Sequence, residues 1–317
     1  MTAHCGCIDV HHHIMSPRFV AARRALGIAT GPGYEGALDW TPQVSLDQMD
    51  QHGIESSVVS NPAPWQAYGA KQAAALAREN NEFAADMAQR HPGRFGFFAA
   101  IPMPDVDASL KEIEYAFDVL KADGIGTTTN YGAKWPGDPA FDPVFAELNR
   151  RKAVVFVHPQ SVDCCKGLTP PVPESTVEFM FDVTRCITSL LYRGALTKFP
   201  RIRFIFTHGG GCLPQLAERI ARNTLNQKAV AERLPGGAMA ELQKLYLDVA
   251  STTSRAALAG LREFLPMTQW LFGTDYPFLE APATTKGLEA FGFAPAELEA
   301  IRRGNAARLF GRFASSG

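Results

Sequence analysis

Short runs of apolar, β-branched and aromatic residues recur along the chain, each followed by a stretch in which apolar positions return at helical spacing. Candidate strands cover residues 7–11, 56–60, 94–101, 124–130, 153–158, 203–208, 245–250 and 269–274. Residues 45–51, 71–90, 108–121, 140–151, 178–198, 213–223, 254–264 and 295–302 carry the three-and-four spacing of helices that bury one face. Strict alternation predicts a parallel sheet, because a parallel neighbour is reached only through a connection of helix length. Eight such units predict closure, so the expected fold is an α/β (β/α)8 barrel forming one domain over residues 1–317. The longest irregular stretch, residues 15–42, follows the first strand and contains Gly27, Gly31, Pro32 and Gly33. In a barrel it becomes a cap insertion over the catalytic face. Residues 304–311 predict a last short helix.

Length and composition agree with this reading. A barrel takes roughly 250 residues, often more with insertions, and 317 residues with 46% hydrophobic content can bury such a core. Thirty-one basic side chains oppose thirty-two acidic ones. Without a basic excess or stripe, no nucleic-acid partner is expected. No apolar run approaches the ~20 residues of a membrane span, and the N-terminus lacks a secretory apolar core. The chain is therefore expected to be soluble and cytoplasmic. Its cysteines, at 5, 7, 164, 165, 186 and 212, lack the paired spacing of a structural zinc site and are expected to be free thiols.

The histidines change the picture. Of eight, His11, His12 and His13 end the first candidate strand, His158 the fifth and His208 the sixth, while Asp275 follows the eighth. The C-terminal strand ends of a parallel barrel converge on one rim, where active sites are built. Residues two apart on a strand share a face, so His11 and His13 can enter the mouth together while His12 turns to the wall. Imidazoles with a carboxylate suit zinc and similar first-row ions. A single histidine after an apolar strand is more often a rim or core residue; several at separate strand ends are harder to assign to chance. His4, His52 and His91 lie elsewhere and read as structural.

Four motifs carry a family resemblance: Asp9-Val10-His11-His12-His13, Phe156-Val157-His158-Pro159, Thr207-His208-Gly209-Gly210-Gly211 and Gly273-Thr274-Asp275-Tyr276-Pro277-Phe278. In order and spacing the chain resembles the metal-dependent amidohydrolase superfamily, in particular its non-oxidative decarboxylase branch. That branch includes the α-amino-β-carboxymuconate-ε-semialdehyde, γ-resorcylate and 6-methylsalicylate decarboxylases. The resemblance implies one divalent ion, Zn2+ favoured and Mn2+ possible, held by His11, His13, His158 and Asp275. It makes His208 a catalytic group close to the metal-bound water or substrate, and the proton that replaces CO2 is expected from either Asp275 or His208, depending on how the substrate sits. It also implies that Arg219 holds a substrate carboxylate in a neighbouring subunit's site, which requires a homodimer or larger homo-oligomer, and that Phe278 lines the pocket. The chain departs from the semialdehyde decarboxylase in carrying Gln160 where that enzyme has tryptophan.

The expected activity is decarboxylation of a small aromatic or dienoic acid, with a 6-methylsalicylate-like hydroxybenzoate favoured. The same ligand set would also serve a hydrolase such as a lactonase. A third reading, of another class, is an inactive barrel that binds a small molecule or acts as a scaffold.

Overall fold

The computed structural model describes residues 6–27, 35–61, 63, 65–165, 167 and 171–314. Eight strands form one sheet in sequential order: β1 (Cys7–His13), β2 (Ile54–Ser60), β3 (Phe95–Ala100), β4 (Gly124–Thr128), β5 (Val154–His158), β6 (Arg203–Phe206), β7 (Tyr246–Asp248) and β8 (Trp270–Leu271). Each neighbouring pair is parallel. Because β8 has only two residues, the seam back to β1 is made largely beyond it. Val10 N–H donates to Phe272 O at 3.0 Å, Asp275 N–H to His11 O at 2.7 Å and His13 N–H to Tyr276 O at 2.7 Å. These bonds close the sheet into the expected (β/α)8 barrel.

The core has two layers, as this architecture requires. Ile8, Val10, Val58, Phe98, Val154, Phe156, Ile205 and Leu271 cluster with Leu309, Phe310 and Phe313 from the C-terminal segment. Phe98 stacks on Phe156 at 4.8 Å and meets Phe310 edge-on at 5.7 Å. This is the barrel interior, and the C-terminal segment plugs it. The larger cluster lies between the strands and the surrounding helices and includes Ile113, Leu148, Ile187, Leu190, Leu258 and Leu288.

Most helices fall where their periodicity predicts, and their starts follow from capping. Thr41, Asp105 and Ser254 accept from the backbone N–H groups of Val44, Ala108 and Ala257, opening helices Pro42–His52, Val106–Asp118 and Arg255–Phe264. The predicted helix over 178–198 is instead two, Glu174–Tyr192 and Ala195–Lys198, because Gly194 sits between them in the left-handed region at φ 72°. A helix over Ala281–Phe291 follows β8; the periodicity had placed that unit's helix only at 295–302. The predicted cap is not wholly irregular. It contains helix Pro17–Ala25, with Pro17 in its first turn, and a 3-10 turn over Glu35–Asp39. Gly31, Pro32 and Gly33 lie outside the described residues, as do His4 and Cys5. Cys164, Cys165, Cys186 and Cys212 are free thiols, but Cys7 is disulfide-bonded, contrary to expectation. Among the described residues, no helix is long and apolar enough to cross a membrane.

Candidate metal centre and active site

The site begins with a bulge. Ile8 and Val10 point into the barrel interior, so uninterrupted alternation would send His12 inward and His11 out. Instead the β1–β2 register shifts between Asp9 and His12, three residues of β1 spanning two of β2. One extra residue reverses the facing of everything beyond it. His11 therefore follows Val10 into the barrel, and His13 joins it. The His11 ring lies edge-on to Phe156 of the interior at 5.2 Å. His12 faces the wall, as predicted: its Nδ1 is 3.3 Å from Asp9 Oδ2 and its Nε2 is 2.7 Å from Ser45 Oγ.

Asp9 holds the seam against which the ligands are placed. Its Oδ1 accepts from the backbone N–H groups of His11 and Thr274, both at 3.0 Å, and its Oδ2 accepts from the Thr274 hydroxyl at 2.6 Å. One fully buried carboxylate thus fixes the backbone beside His11 and beside Asp275. Across the seam, Gly273 leaves room for His11, whose Cβ lies 2.8 Å from where a glycine-to-alanine methyl would stand.

Four ligand atoms converge at the rim. One nitrogen each from His11, His13 and His158 and one Asp275 oxygen all lie within 4.8 Å of one another. His11 Nε2 is 3.1 Å from His13 Nε2, and Asp275 Oδ1 is 3.2 Å from the first and 3.0 Å from the second. Donor atoms about 2.1 Å from a shared ion would sit roughly 3.0–3.4 Å apart. The donor chemistry fits as well. His158 Nδ1 lies 2.7 Å from Pro159 O; a carbonyl only accepts, so Nδ1 carries the hydrogen and Nε2 its lone pair. The same logic applies to His11, whose Nδ1 meets Asp248 Oδ2 at 3.0 Å. His13 Nδ1 is 3.3 Å from Ser60 Oγ.

Burial and the neighbouring carboxylates pull the imidazoles in opposite directions. Burial pushes the His13 and His158 imidazoles towards neutrality. Burial also opposes charge on His11, yet Asp248 and Asp275 together outweigh it and hold its pKa up at about 10. Burial would raise the Asp275 carboxyl, but His11, His13 and His208 keep it well below the ordinary range. The ionic partners of Asp248 and Asp275 among the described residues are histidines, with no lysine or arginine. Two buried carboxylates thus flank His11, Asp248 at Nδ1 and Asp275 at Nε2, and a divalent ion at the ligand point would balance their charge.

The remaining site residues separate into two groups. His208 leaves the strand: β6 ends at Phe206, and His208 starts a 3-10 turn at φ 55°. Asp275 sits at φ 65° and Ser251, after β7, at φ 56°. Left-handed conformations cost such residues roughly 1–2 kcal/mol each, and clusters of them mark functional rims. His208 Nδ1–H donates to Ala250 O at 3.2 Å, leaving Nε2 facing Asp275 Oδ2 at 4.0 Å. Phe278 packs edge-on against His13 at 5.3 Å. Arg219 is different. It stands exposed on helix Leu213–Leu225, with no ionic or hydrogen-bonding partner among the described residues.

Sequence reasoning passed over Asp248. Its Oδ2 meets His11 Nδ1, and its Oδ1 accepts from the N–H groups of His208 and Ala250, both at 3.0 Å. It locks one ligand's tautomer and holds the His208 turn at once. It lies inside the candidate strand 245–250, and a carboxylate within that apolar run was the available signal.

A parallel barrel with this ligand set at its C-terminal rim belongs to the class of barrel enzymes with a candidate metal centre. The amidohydrolase family model matches residues 8–312. The chain is 34% identical over 327 residues to the decarboxylase yanB of Aspergillus niger, covering 96% of this chain and 88% of that one. It is also 34% identical over 318 residues to the 6-methylsalicylic acid decarboxylase of Penicillium expansum, covering 96% of each. Among solved structures, a 5-carboxyvanillate decarboxylase of Novosphingobium aromaticivorans, with bound manganese and 3-methoxy-4-hydroxy-5-nitrobenzoic acid, shares the fold. Its TM-score is 0.85 at 17% identity, over 96% of this chain and 97% of that one. The protein belongs to the amidohydrolase family and, within it, to the non-oxidative decarboxylase branch. It is a carboxy-lyase, which sets aside the hydrolase and scaffold readings.

Proposed function

We propose that the protein decarboxylates a small hydroxybenzoate, 6-methylsalicylate being favoured, with one divalent ion held by His11, His13, His158 and Asp275. The observation that carries the proposal is the donor set: histidines whose Nδ1 hydrogens are committed outward, so that their Nε2 lone pairs and a carboxylate face a common point. Zn2+ suits three imidazoles and a carboxylate; the manganese in the 5-carboxyvanillate enzyme makes Mn2+ the alternative. The substrate assignment rests on the similarity to the 6-methylsalicylic acid decarboxylase of Penicillium expansum, at 34% identity. When bound, the ion would supply Lewis acidity and a template for substrate oxygens.

The reaction exchanges a carbon–carbon bond for a carbon–hydrogen bond: the carboxylate and one proton become the arene and CO2. The ring carbon takes the proton, and the bonding pair to the carboxylate carbon returns to the ring as CO2 leaves. The chain must therefore deliver a proton, and His208 in its protonated form would deliver it. Its Nδ1–H is committed to Ala250 O, so Nε2 is the atom left to exchange it. The two Asp275 oxygens divide the work: Oδ1 faces His11 and His13, and Oδ2 faces His208. Phe278, against His13, offers an aromatic wall. With 6-methylsalicylate in D2O, the expected product is the decarboxylated phenol with one deuterium at the vacated carbon, read by mass spectrometry and NMR. Metal-loaded protein that leaves 6-methylsalicylate and related hydroxybenzoates unchanged would overturn the substrate reading.

Arg219 is included in the proposal as a group acting in a neighbour's site, where its planar fork can clamp a carboxylate. Its exposure in the single chain is compatible with that role. The working unit would then be a homodimer or larger. Mixing Arg219→Ala and Asp275→Ala chains should restore activity up to about a quarter of wild type for a randomly exchanged dimer, because some sites gain both an intact ligand set and an intact arginine. Inactive mixtures after verified subunit exchange would confine Arg219 to its own chain or to no role.

A further inference from the structure

Beside the metal centre, a polar network ends in one unused acceptor. Gln160 lies two residues beyond His158, where the β4–β5 pairing continues past both strand ends: Thr129 N–H donates to His158 O at 3.0 Å, and Gln160 N–H reaches Thr129 Oγ1 at 3.4 Å. Alternation along that extension puts residues 158 and 160 on one side. The Gln160 side-chain amide is oriented by its donors. Nε2 donates to the Asn130 carbonyl, and to Asn130 Oδ1 at 3.1 Å.

Asn130 is itself held by Asp182, a fully buried carboxylate on helix Glu174–Tyr192. Asp182 Oδ2 accepts from Asn130 Nδ2 at 2.7 Å and from the Thr129 hydroxyl, while Oδ1 accepts from Trp135 Nε1 at 2.9 Å. Because the carboxylate can only accept, it fixes Asn130 with its amide nitrogen towards Asp182 and its oxygen towards Gln160. That orientation in turn fixes Gln160. Its Nε2 is spent and its Oε1 is left over. Gln160 is only 8% exposed, and Oε1 is buried with no hydrogen-bond partner among the described residues. A buried acceptor without a donor is costly and calls for a reason.

We infer that Gln160 is a specificity-determining residue whose Oε1 accepts a hydrogen bond from a hydroxyl on the substrate ring. An acceptor repels a carboxylate, so it selects the ring's donor substituent rather than its acid group. Asp182 and Asn130 are positioning residues that keep the oxygen, not the nitrogen, at the free end. The inference rests on the proposed hydroxybenzoate reading and deepens it. A site built around a donor rejects analogues that lack it, because its own polar atom then stays unpaired.

The test is binding to the metal-loaded protein of 6-methylsalicylate and of 2-fluoro-6-methylbenzoate, which keeps the size and loses the donor, read by stopped-flow quenching of protein fluorescence before turnover consumes the acid. The measured quantity is the ratio of the two affinities in wild type and in Gln160→Met, with Gln160→Leu as a second variant of similar bulk. Wild type should prefer the hydroxy acid by a ratio that falls about tenfold in the variants. A loosened loop would weaken both ligands together and leave the ratio alone. An unchanged ratio in folded, metal-loaded variants would overturn the inference, as would failure of wild type to distinguish the two acids. Turnover of 6-methylsalicylate is followed separately. A ratio that collapses in the variants while wild type does not decarboxylate the acid would uphold Gln160 as a donor reader and sink the decarboxylation of this substrate.

Discussion

Alanine at His11, His158 or Asp275 is expected to release the metal and to lower turnover by at least about a thousandfold. His11 and His158 each present one Nε2 lone pair, and Asp275 supplies the anionic oxygen of the set. Losing either histidine leaves a lower coordination number, and losing Asp275 removes the only charged ligand. Metal analysis of the purified protein should give about one ion per wild-type chain, and far less for these variants. His12→Gln is the control, because His12 bonds Asp9 and Ser45 on the wall side, and it should keep its metal. Asp248→Asn should fall between, weakening metal retention by about 10–100-fold, since it touches His11 Nδ1 rather than the ligand point. Treatment with a chelator should abolish activity, and returning Zn2+ or Mn2+ should restore it. Full metal occupancy in both His11→Ala and His158→Ala would remove the ligand assignment altogether.

A second large effect is expected at His208, with the opposite metal signature. His208→Ala should slow decarboxylation by about 10²–10⁴-fold, the range that positioned proton transfer contributes, while the protein keeps its ion. The geometry separates the two roles. His208 Nε2 lies 4.0 Å from Asp275 Oδ2, on the far oxygen from His11 and His13; burial disfavours charge on its imidazole, and Asp275 works the other way, favouring the Nε2 proton that must be delivered. Activity and bound metal measured on the same preparation distinguish proton handling from ligation. Loss of the ion in His208→Ala would make His208 a ligand, as its proximity to His11 and Asp248 would then require. Unchanged turnover would move the proton-handling role to Asp275.

Much of this is legible in the chain itself. Eight alternations of strand and helix determined a parallel barrel, because no short loop can return a chain to the start of a parallel neighbour. Placing His158, His208 and Asp275 at the ends of such segments put them on one rim. The helices that escaped detection had weak local signals: Pro17–Ala25 lies in a stretch read as cap, and Ala281–Phe291 contains Pro282 and Gly287. The break at Gly194 was also hidden, since apolar periodicity runs on through it while a left-handed glycine ends the helix.

What the sequence determined by itself was therefore the ladder of elements and the types of side chain at their ends. Both are recorded locally, as periodicity and as motifs. The tertiary structure alone decided how those side chains face one another. The spacing of His11 and His13 says that they share a side; only the bulge between Asp9 and His12, forced by register against β2, says that this side is the interior already occupied by Ile8 and Val10. Asp248 is one of many carboxylates in the chain until β7 brings it to His11, 237 residues away. Asp9 likewise becomes the clamp of the seam only when Thr274 arrives 265 residues later. The direction in which Gln160 turns its amide depends on Asn130 and, through it, on Asp182. Tautomers, amide orientations and charge balance are properties of neighbours in space, and closing the barrel is what makes these residues neighbours.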